Sequence, residues 1–374
     1  MFLKFSKALA VFTGTIIGVG IFGLPYVASK AGFFVVLSYF MLMTLAVIII
    51  HLFYGEITAG TKELCRLPGY AEEYLGQRWK KIVFFISGTG LMGAILAYLI
   101  VGGEFLKLYF SPYFGGDSTI WTLIFFSLGA FLIFLGIKTI SQIELSLLLI
   151  FFAILIIFFI KALPFIDFNY FFNFNWKFFT FPYGIILFSL WGSSVIPELK
   201  EMLAPDSKLL KKVIIAGITI SATTYLIFVF SIFGASGPLT SKEAISGFIQ
   251  SIGDNILKLG FIFGIITTFT SFITLGLTLK KTLWYDFGLS KNLAWLIACF
   301  LPLILFFLGL REYIQIIGFI GAVMIGIEAI IIIFVYRNFL KLKKRKMNPL
   351  IYSFCGLFSL GILFEAFYFF AKSI

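Results

Sequence analysis

Between Ile314 and Val335 the chain carries one charge, Glu328, and the runs Phe33–Ile50 and Leu145–Ile160 carry none. Stretches of this kind approach or reach the ~20 apolar residues that a helix needs to cross a hydrocarbon core. Lipid cannot satisfy backbone amides, so such runs fold as helices whose hydrogen bonds are internal. The remainder agrees. Of 374 residues 61% are hydrophobic and 12% charged, against about 25% charged in soluble domains. An all-α membrane protein is expected, with residues 1–374 as a single transmembrane domain.

Cutting at charged and turn-rich joints predicts about eleven spans: 8–31, 33–59, 82–110, 119–136, 140–162, 179–203, 212–236, 252–281, 292–309, 313–336 and 349–371. Segment 61–80 is too polar to span and reads as a short interfacial helix. Lys4 and Lys7 imitate a signal peptide, but no cleavage site follows, so the first run is read as a retained span. The net charge of +12 does not point to nucleic acid. Basic residues gather between the apolar runs, and the cluster Lys341–Lys346 reads as a cytoplasmic anchor. Of the 29 basic residues, 21 fall on one side of the predicted topology and 8 on the other. The basic side faces the cytoplasm of a cell membrane, so the N-terminus is expected inside and the C-terminus outside. Cys65, Cys299 and Cys355 are isolated, which favours neither a disulfide framework nor a metal site.

Two spans contain sequence foreign to a continuous helix. One is Gly14-Thr-Ile-Ile-Gly18-Val-Gly20-Ile-Phe-Gly23-Leu-Pro25, the other Ser189-Leu-Trp191-Gly192-Ser-Ser-Val-Ile-Pro197-Glu198. In a helix interior Gly costs up to ~1 kcal/mol and Pro ~3 kcal/mol, and Pro removes a donor that lipid cannot replace. Gly20 and Gly192 stand the same number of residues before Pro25 and Pro197. The two segments lie five spans apart and so cross the membrane in opposite directions. That is the mark of an inverted repeat, roughly 8–162 against 179–336 with 349–371 appended, and of a binding site at the midplane. Small residues also serve plain helix packing, but Ser193 and Ser194 add polarity that packing does not need.

Helix dipoles define the ligand. Amides at Gly18, Val19 and Gly20 open the outer half of span 1 and suit an anion. Carbonyls of Thr15, Ile16 and Ile17, with those near Ser189–Trp191, end helical halves and suit a cation. A zwitterion satisfies both, and an α-amino acid is the expected substrate.

GTIIGVGIFGLPY closely resembles the first-helix signature of the amino acid–polyamine–organocation superfamily, especially its amino acid/auxin permease and aromatic amino acid permease branches. Tyr54–Gly76 resembles the end of helix 2 and the following loop in those transporters, and SLWGSSVIPELKEM their broken helix 6. The resemblance implies the leucine-transporter-type fold, a 5+5 inverted repeat with helices 1 and 6 broken, working by alternating access. By position it implies substrate contacts at Gly18, Val19, Gly20, Ser189, Trp191, Gly192 and Ser193, beside the Thr15 and Ile17 carbonyls that the dipoles single out. Tyr98 resembles the aromatic residue that faces this site, and Trp191 a residue that gates or stacks on substrate.

The coupling ion, H+ or Na+, stays open between two places. In sodium-coupled relatives a hydroxyl pair on helix 8 joins helix 1 carbonyls. Here Thr267, Thr270 and Ser271 supply the hydroxyls, and the carbonyls map onto Gly14 and Ile17. Proton coupling needs an intramembrane titratable group, and such groups are rarely accidental. Glu328 is the deepest; His51, Glu56, Glu104 and Glu144 lie nearer span ends. His51 reads as a structural partner, and Glu198 as a carboxylate satisfied by the amides opening the inner half of helix 6.

No nucleophile–base set, metal-protease motif or phosphate-binding turn appears, so an enzyme is not expected, nor a cofactor. Cation-coupled symport of neutral or aromatic amino acids is the expected activity, with an exchanger or a non-transporting sensor of the same fold as alternatives.

Overall fold

The computed structural model describes residues 2–136, 140–204 and 206–371; Lys138, Lys372 and the side chain of Glu144 lie outside the described residues. Span 1 is two helices, α1 (Phe2–Ile16) and α2 (Gly20–Ala31), bent by 51°. α3 (Phe33–Gly60) follows at once. The corner falls on Gly32, whose φ of 102° disfavours side chains, and a Cβ there would meet the Asn173 carbonyl oxygen at 2.4 Å. α4 (Leu67–Leu75) is the short helix expected within 61–80. α5 (Gln77–Phe114), α6 (Ser118–Leu135) and α7 (Ile140–Ala162) follow.

Span 6 is also broken, into α8 (Pro182–Leu190) and α9 (Ile196–Leu203), joined through a 3-10 turn at Ser193–Val195. Pro182 and Pro197 each sit in a first helical turn, where the missing N–H costs nothing. α10 (Ser207–Ser236) is followed by a short helix, α11 (Ile245–Ile252), over residues expected to form a loop and the start of span 8. Span 8 instead begins with α12 (Leu259–Lys281). Then come α13 (Lys291–Phe307), α14 (Tyr313–Phe319), α15 (Gly326–Leu342) and α16 (Tyr352–Ala371).

α14 and α15 form one span joined by a π-helical stretch, Ile320–Ile325, rather than the uniform helix expected over 313–336. Among the described residues eight helices meet the length and hydropathy of a span, and the bent α1–α2 pair makes nine. α13 and the divided α8–α9 span are too short to qualify singly.

Two sets of contacts position the centre. α10 packs along α1, α2 and α3, and α5 packs along α12. α8 presses backbone to backbone on the π stretch, since a Cβ on Gly321 would meet the Gly184 carbonyl oxygen at 1.8 Å. α16 lies at the periphery against α15, with little of its apolar length covered.

Candidate functional site

Helix α1 ends at Ile16 and α2 begins at Gly20, so Ile17, Gly18 and Val19 form the interruption. The first amides of a helix lack α-type partners; here those of Ile21 and Phe22 turn back to the Gly18 and Val19 carbonyls at 3.3 Å, and α2 opens at the buried Gly20. The second interruption is Trp191–Gly192. Trp191 is extended (φ −83°, ψ 127°) and Gly192 has φ −140° and ψ 21°.

His51 of α3 satisfies this break. Its Nε2 lies 3.0 Å from the Gly192 amide nitrogen and its Nδ1 lies 2.9 Å from the Val47 carbonyl oxygen. The amide must donate and the carbonyl must accept, so the network assigns a neutral ring protonated on Nδ1. The ring is buried, with the Trp191 indole edge-on at 4.6 Å. His51 is thus the structural partner that the sequence reading favoured.

Contacts between spans 1 and 6 explain the glycines. A Cβ on Gly18 would fall 1.9 Å from the Tyr98 hydroxyl, and one on Gly20 would fall 2.2 Å from Ser189 Oγ. Tyr98 also hydrogen-bonds the Val19 backbone and the Ser271 side chain. Tyr225 of α10, absent from the expected site, ties the breaks together. Its hydroxyl lies 2.6 Å from the Ile16 carbonyl oxygen and 2.9 Å from that of Ser189. This corrects the expectation that both carbonyls are unpaired, because the phenol supplies a donor shared between them. Each still has a second lone pair.

A cavity runs from the breaks toward α4. Thr15, Gly18, Gly20, Tyr98, Ser189, Trp191 and Ser193 line it, as do Phe188, Leu91 and Glu328. Its far end reaches Arg66, Pro68 and Thr282, and Arg66 and Pro68 also border a wider vestibule. Inside, the Glu328 carboxylate accepts from Ser193 Oγ at 2.6 Å, Trp191 Nε1 at 3.2 Å and Ser87 Oγ at 3.2 Å. Trp191 therefore hydrogen-bonds Glu328 and packs on His51.

The opposite side is shut. Phe22 packs on Phe105 with ring centres 4.7 Å apart, Lys242 pairs with Glu312 at 2.5 Å, and the Tyr313 hydroxyl donates to the Lys242 carbonyl.

A second cavity lies behind Thr15 and Tyr98. Gly14, Ile17, Thr267, Thr270 and Ser271 all line it. The structure thus brings together the five residues expected for sodium and leaves Glu328 in the other cavity. Thr267 Oγ1 donates to the Phe263 carbonyl at 3.0 Å, and Thr270 Oγ1 donates to Ile266 and Thr267 carbonyls at 3.1 Å. With the hydroxyl hydrogens used on their own helix, the oxygen lone pairs remain for a cation.

The remaining candidates are structural or peripheral. Glu198 does not cap α9: among the described residues its Oε2 is buried without a hydrogen-bond partner. It pairs instead with Arg66 at 3.5 Å, and the same Arg66 donates to Thr282 Oγ1 at 2.9 Å. The guanidinium offers a full charge where the helix offers only its dipole. Glu56 binds Arg345 and Tyr336, and Glu104 binds Lys107 and Ser118.

Solved structures share this arrangement at low identity. The chain is similar to MhsT in complex with L-phenylalanine, with a TM-score of 0.70 and 16% identity over 98% of both chains. It is also similar to the nucleobase-cation-symport-1 family transporter Mhp1, with bromovinylhydantoin bound, at 0.66 and 16% over 92% of this chain and 80% of that one. The Eremococcus coleocola manganese transporter scores 0.64 at 12% identity, covering 97% and 85%. These likenesses establish the leucine-transporter-type fold. No curated protein sequence matches the chain. The profile of the tryptophan/tyrosine permease family matches residues 3–368, so the chain belongs to that family of the amino acid–polyamine–organocation superfamily and is an aromatic amino acid transporter, not an enzyme.

Proposed function

We propose that this chain carries tryptophan or tyrosine into the cell by alternating access, driven by an inward sodium gradient. One observation carries the reading: the cavity at the two helix breaks and the hydroxyl-lined cavity share Thr15 and Tyr98 as a common wall. Substrate and cation sites on either side of one wall exchange energy through the same backbone.

In this reading the substrate carboxylate takes the amides of Gly18, Val19 and Gly20, with Tyr98 beside it. Its ammonium takes carbonyls of Thr15 and of the Ser189–Gly192 turn, with Ser193 completing the polar wall. Sodium takes the carbonyls of Gly14 and Ile17 and the hydroxyls of Thr267, Thr270 and Ser271. Five neutral oxygens suit a hard monovalent cation that must leave in every cycle. Glu328, held by three donors in the substrate cavity, is the alternative place for a coupling proton.

The positive-inside bias puts the N-terminus, Arg66 and the vestibule in the cytoplasm and the C-terminus outside, in the cell membrane. The structure is then an inward-open conformer. Residues 8–162 and 179–336 act as the two inverted halves, and 349–371 is an added span.

Uptake of labelled tryptophan into proteoliposomes tests the proposal. An inward sodium gradient is expected to accelerate it and a proton gradient to leave it unchanged. Acceleration by protons alone moves coupling to Glu328. Flux indifferent to both gradients but dependent on internal amino acid establishes exchange.

A further inference from the structure

The two aromatic residues in the family's description share one feature that phenylalanine lacks: each ring carries a donor, an indole N–H or a phenol O–H. Glu328 is placed to read it. The carboxylate lies at the end of the cavity away from Tyr98, bonded to Ser87 of the same helix, α5. Ser87 and Tyr98 are about 16 Å apart along the α5 axis at ~1.5 Å per residue. The Tyr98 side chain leans back toward Ser87, as helical side chains do, and shortens the gap.

The wall between these two polar ends is apolar and open. Leu91, Ala94, Phe188 and Ile320 line it, and a Cβ on Gly90 would meet nothing nearer than 3.7 Å. A planar ring fits beside such a face. A carboxylate has about four acceptor positions, and Ser193, Trp191 and Ser87 use three. One position remains for a donor arriving through the cavity.

We propose that Glu328 is a specificity-determining residue that accepts a hydrogen bond from the substrate's ring N–H or O–H, selecting tryptophan and tyrosine over donor-less aromatic amino acids. The inference rests on the reading that the helix breaks hold the substrate's amino and carboxyl groups. The substrate's ammonium is the competing donor. Seated on Glu328, it would draw the carboxylate away from the amides at Gly18–Gly20, which are the anion-binding end of the cavity. Trp191 and Ser193 fix the carboxylate, so it is preorganised for a directional contact and not for a mobile charge.

Competition binding against labelled tryptophan, on the purified full chain in saturating sodium, separates the possibilities. Tryptophan is compared with 3-benzothienylalanine, in which sulfur replaces the ring N–H, and tyrosine with phenylalanine. Wild type is expected to favour the donor-bearing member of each pair by ~10- to 100-fold, the range for a hydrogen bond to a charged acceptor. Glu328→Ala is expected to bring both ratios to within about threefold of unity by the same principle. Glu328→Gln, which keeps an acceptor oxygen, is expected to retain part of them. Wild-type ratios near unity overturn the proposal without any variant, as do ratios unchanged in Glu328→Ala. Tryptophan that binds with unit ratios overturns ring recognition alone, whereas binding that survives loss of either the α-amino or α-carboxyl group overturns the underlying substrate placement.

Discussion

The Nε2 atom of His51 accepts the amide proton of Gly192 across 3.0 Å, closing the break of span 6 with the chain's one histidine. Because Nδ1 must donate to Val47, an imidazolium has no lone pair for Gly192. The ring therefore works as a fixed neutral acceptor. His51→Leu is expected to leave a buried N–H unpaired at about 1–3 kcal/mol, lowering the unfolding temperature and substrate affinity together. His51→Gln, which still presents an oxygen acceptor, is expected to recover much of both. A glutamine variant that binds substrate normally yet loses cation-coupled uptake would instead make His51 a proton relay.

Tyr225 couples the two breaks through one hydroxyl. Tyr225→Phe keeps the ring and removes the donor, leaving the carbonyls of Ile16 and Ser189 without it. Thermal unfolding in detergent is expected to register a loss of about 1 kcal/mol or more. Tryptophan affinity is expected to fall as the breaks move apart. A variant with wild-type stability and affinity would mean that water or another group replaces the phenol at no cost.

Gly20 is one of the three amides expected to meet the substrate's carboxylate. The structure gives a reason for its lack of a side chain, since Ser189 stands where a Cβ would go. Gly20→Ala is expected to cost about 1–3 kcal/mol as overpacking and to weaken substrate binding. Removing the obstructing atoms in Gly20→Ala/Ser189→Gly is expected to return part of the stability. If the double variant is no more stable than the single, contact with Ser189 is not what excludes a side chain at Gly20.

Local chemistry was legible in sequence; partnership was not. Gly18-Val-Gly20 and Trp191-Gly192 announce their breaks because glycine and proline tax a helix wherever it packs. Thr270 and Ser271 were singled out only through the resemblance to sodium-coupled relatives. The Tyr225 bridge, the Arg66–Glu198 pair and the acceptor role of His51 join residues far apart in the chain, so periodicity and spacing carry no trace of them. The π stretch at Ile320–Ile325 escaped notice because its apolar residues read equally well as α-helix. Its glycine, Gly321, makes sense only once Gly184 is known to lie against it. Glu328 was singled out by its depth, and only the fold separates it from the hydroxyls with which it had been grouped.

That separation yields a sharp expectation for the second cavity. Near-isosteric valine at position 270 removes both the Oγ1 lone pairs and its bonds to α12 carbonyls, but those bonds only supplement the backbone ladder of the helix, so the chief loss is a cation ligand. Thr270→Val is expected to raise the sodium concentration for half-maximal tryptophan uptake by ~10-fold or more, the scale of one lost hydrogen bond or ligand to a charged group. Ser271→Ala is expected to act in the same direction and also to disturb Tyr98, its neighbour. Neither is expected to alter the tryptophan-to-benzothienylalanine ratio, since Glu328 lies in the other cavity. Sodium dependence that is unchanged in both variants removes these hydroxyls from the coupling site. A matching loss in Glu328→Ala but not in Thr270→Val would transfer coupling to the carboxylate.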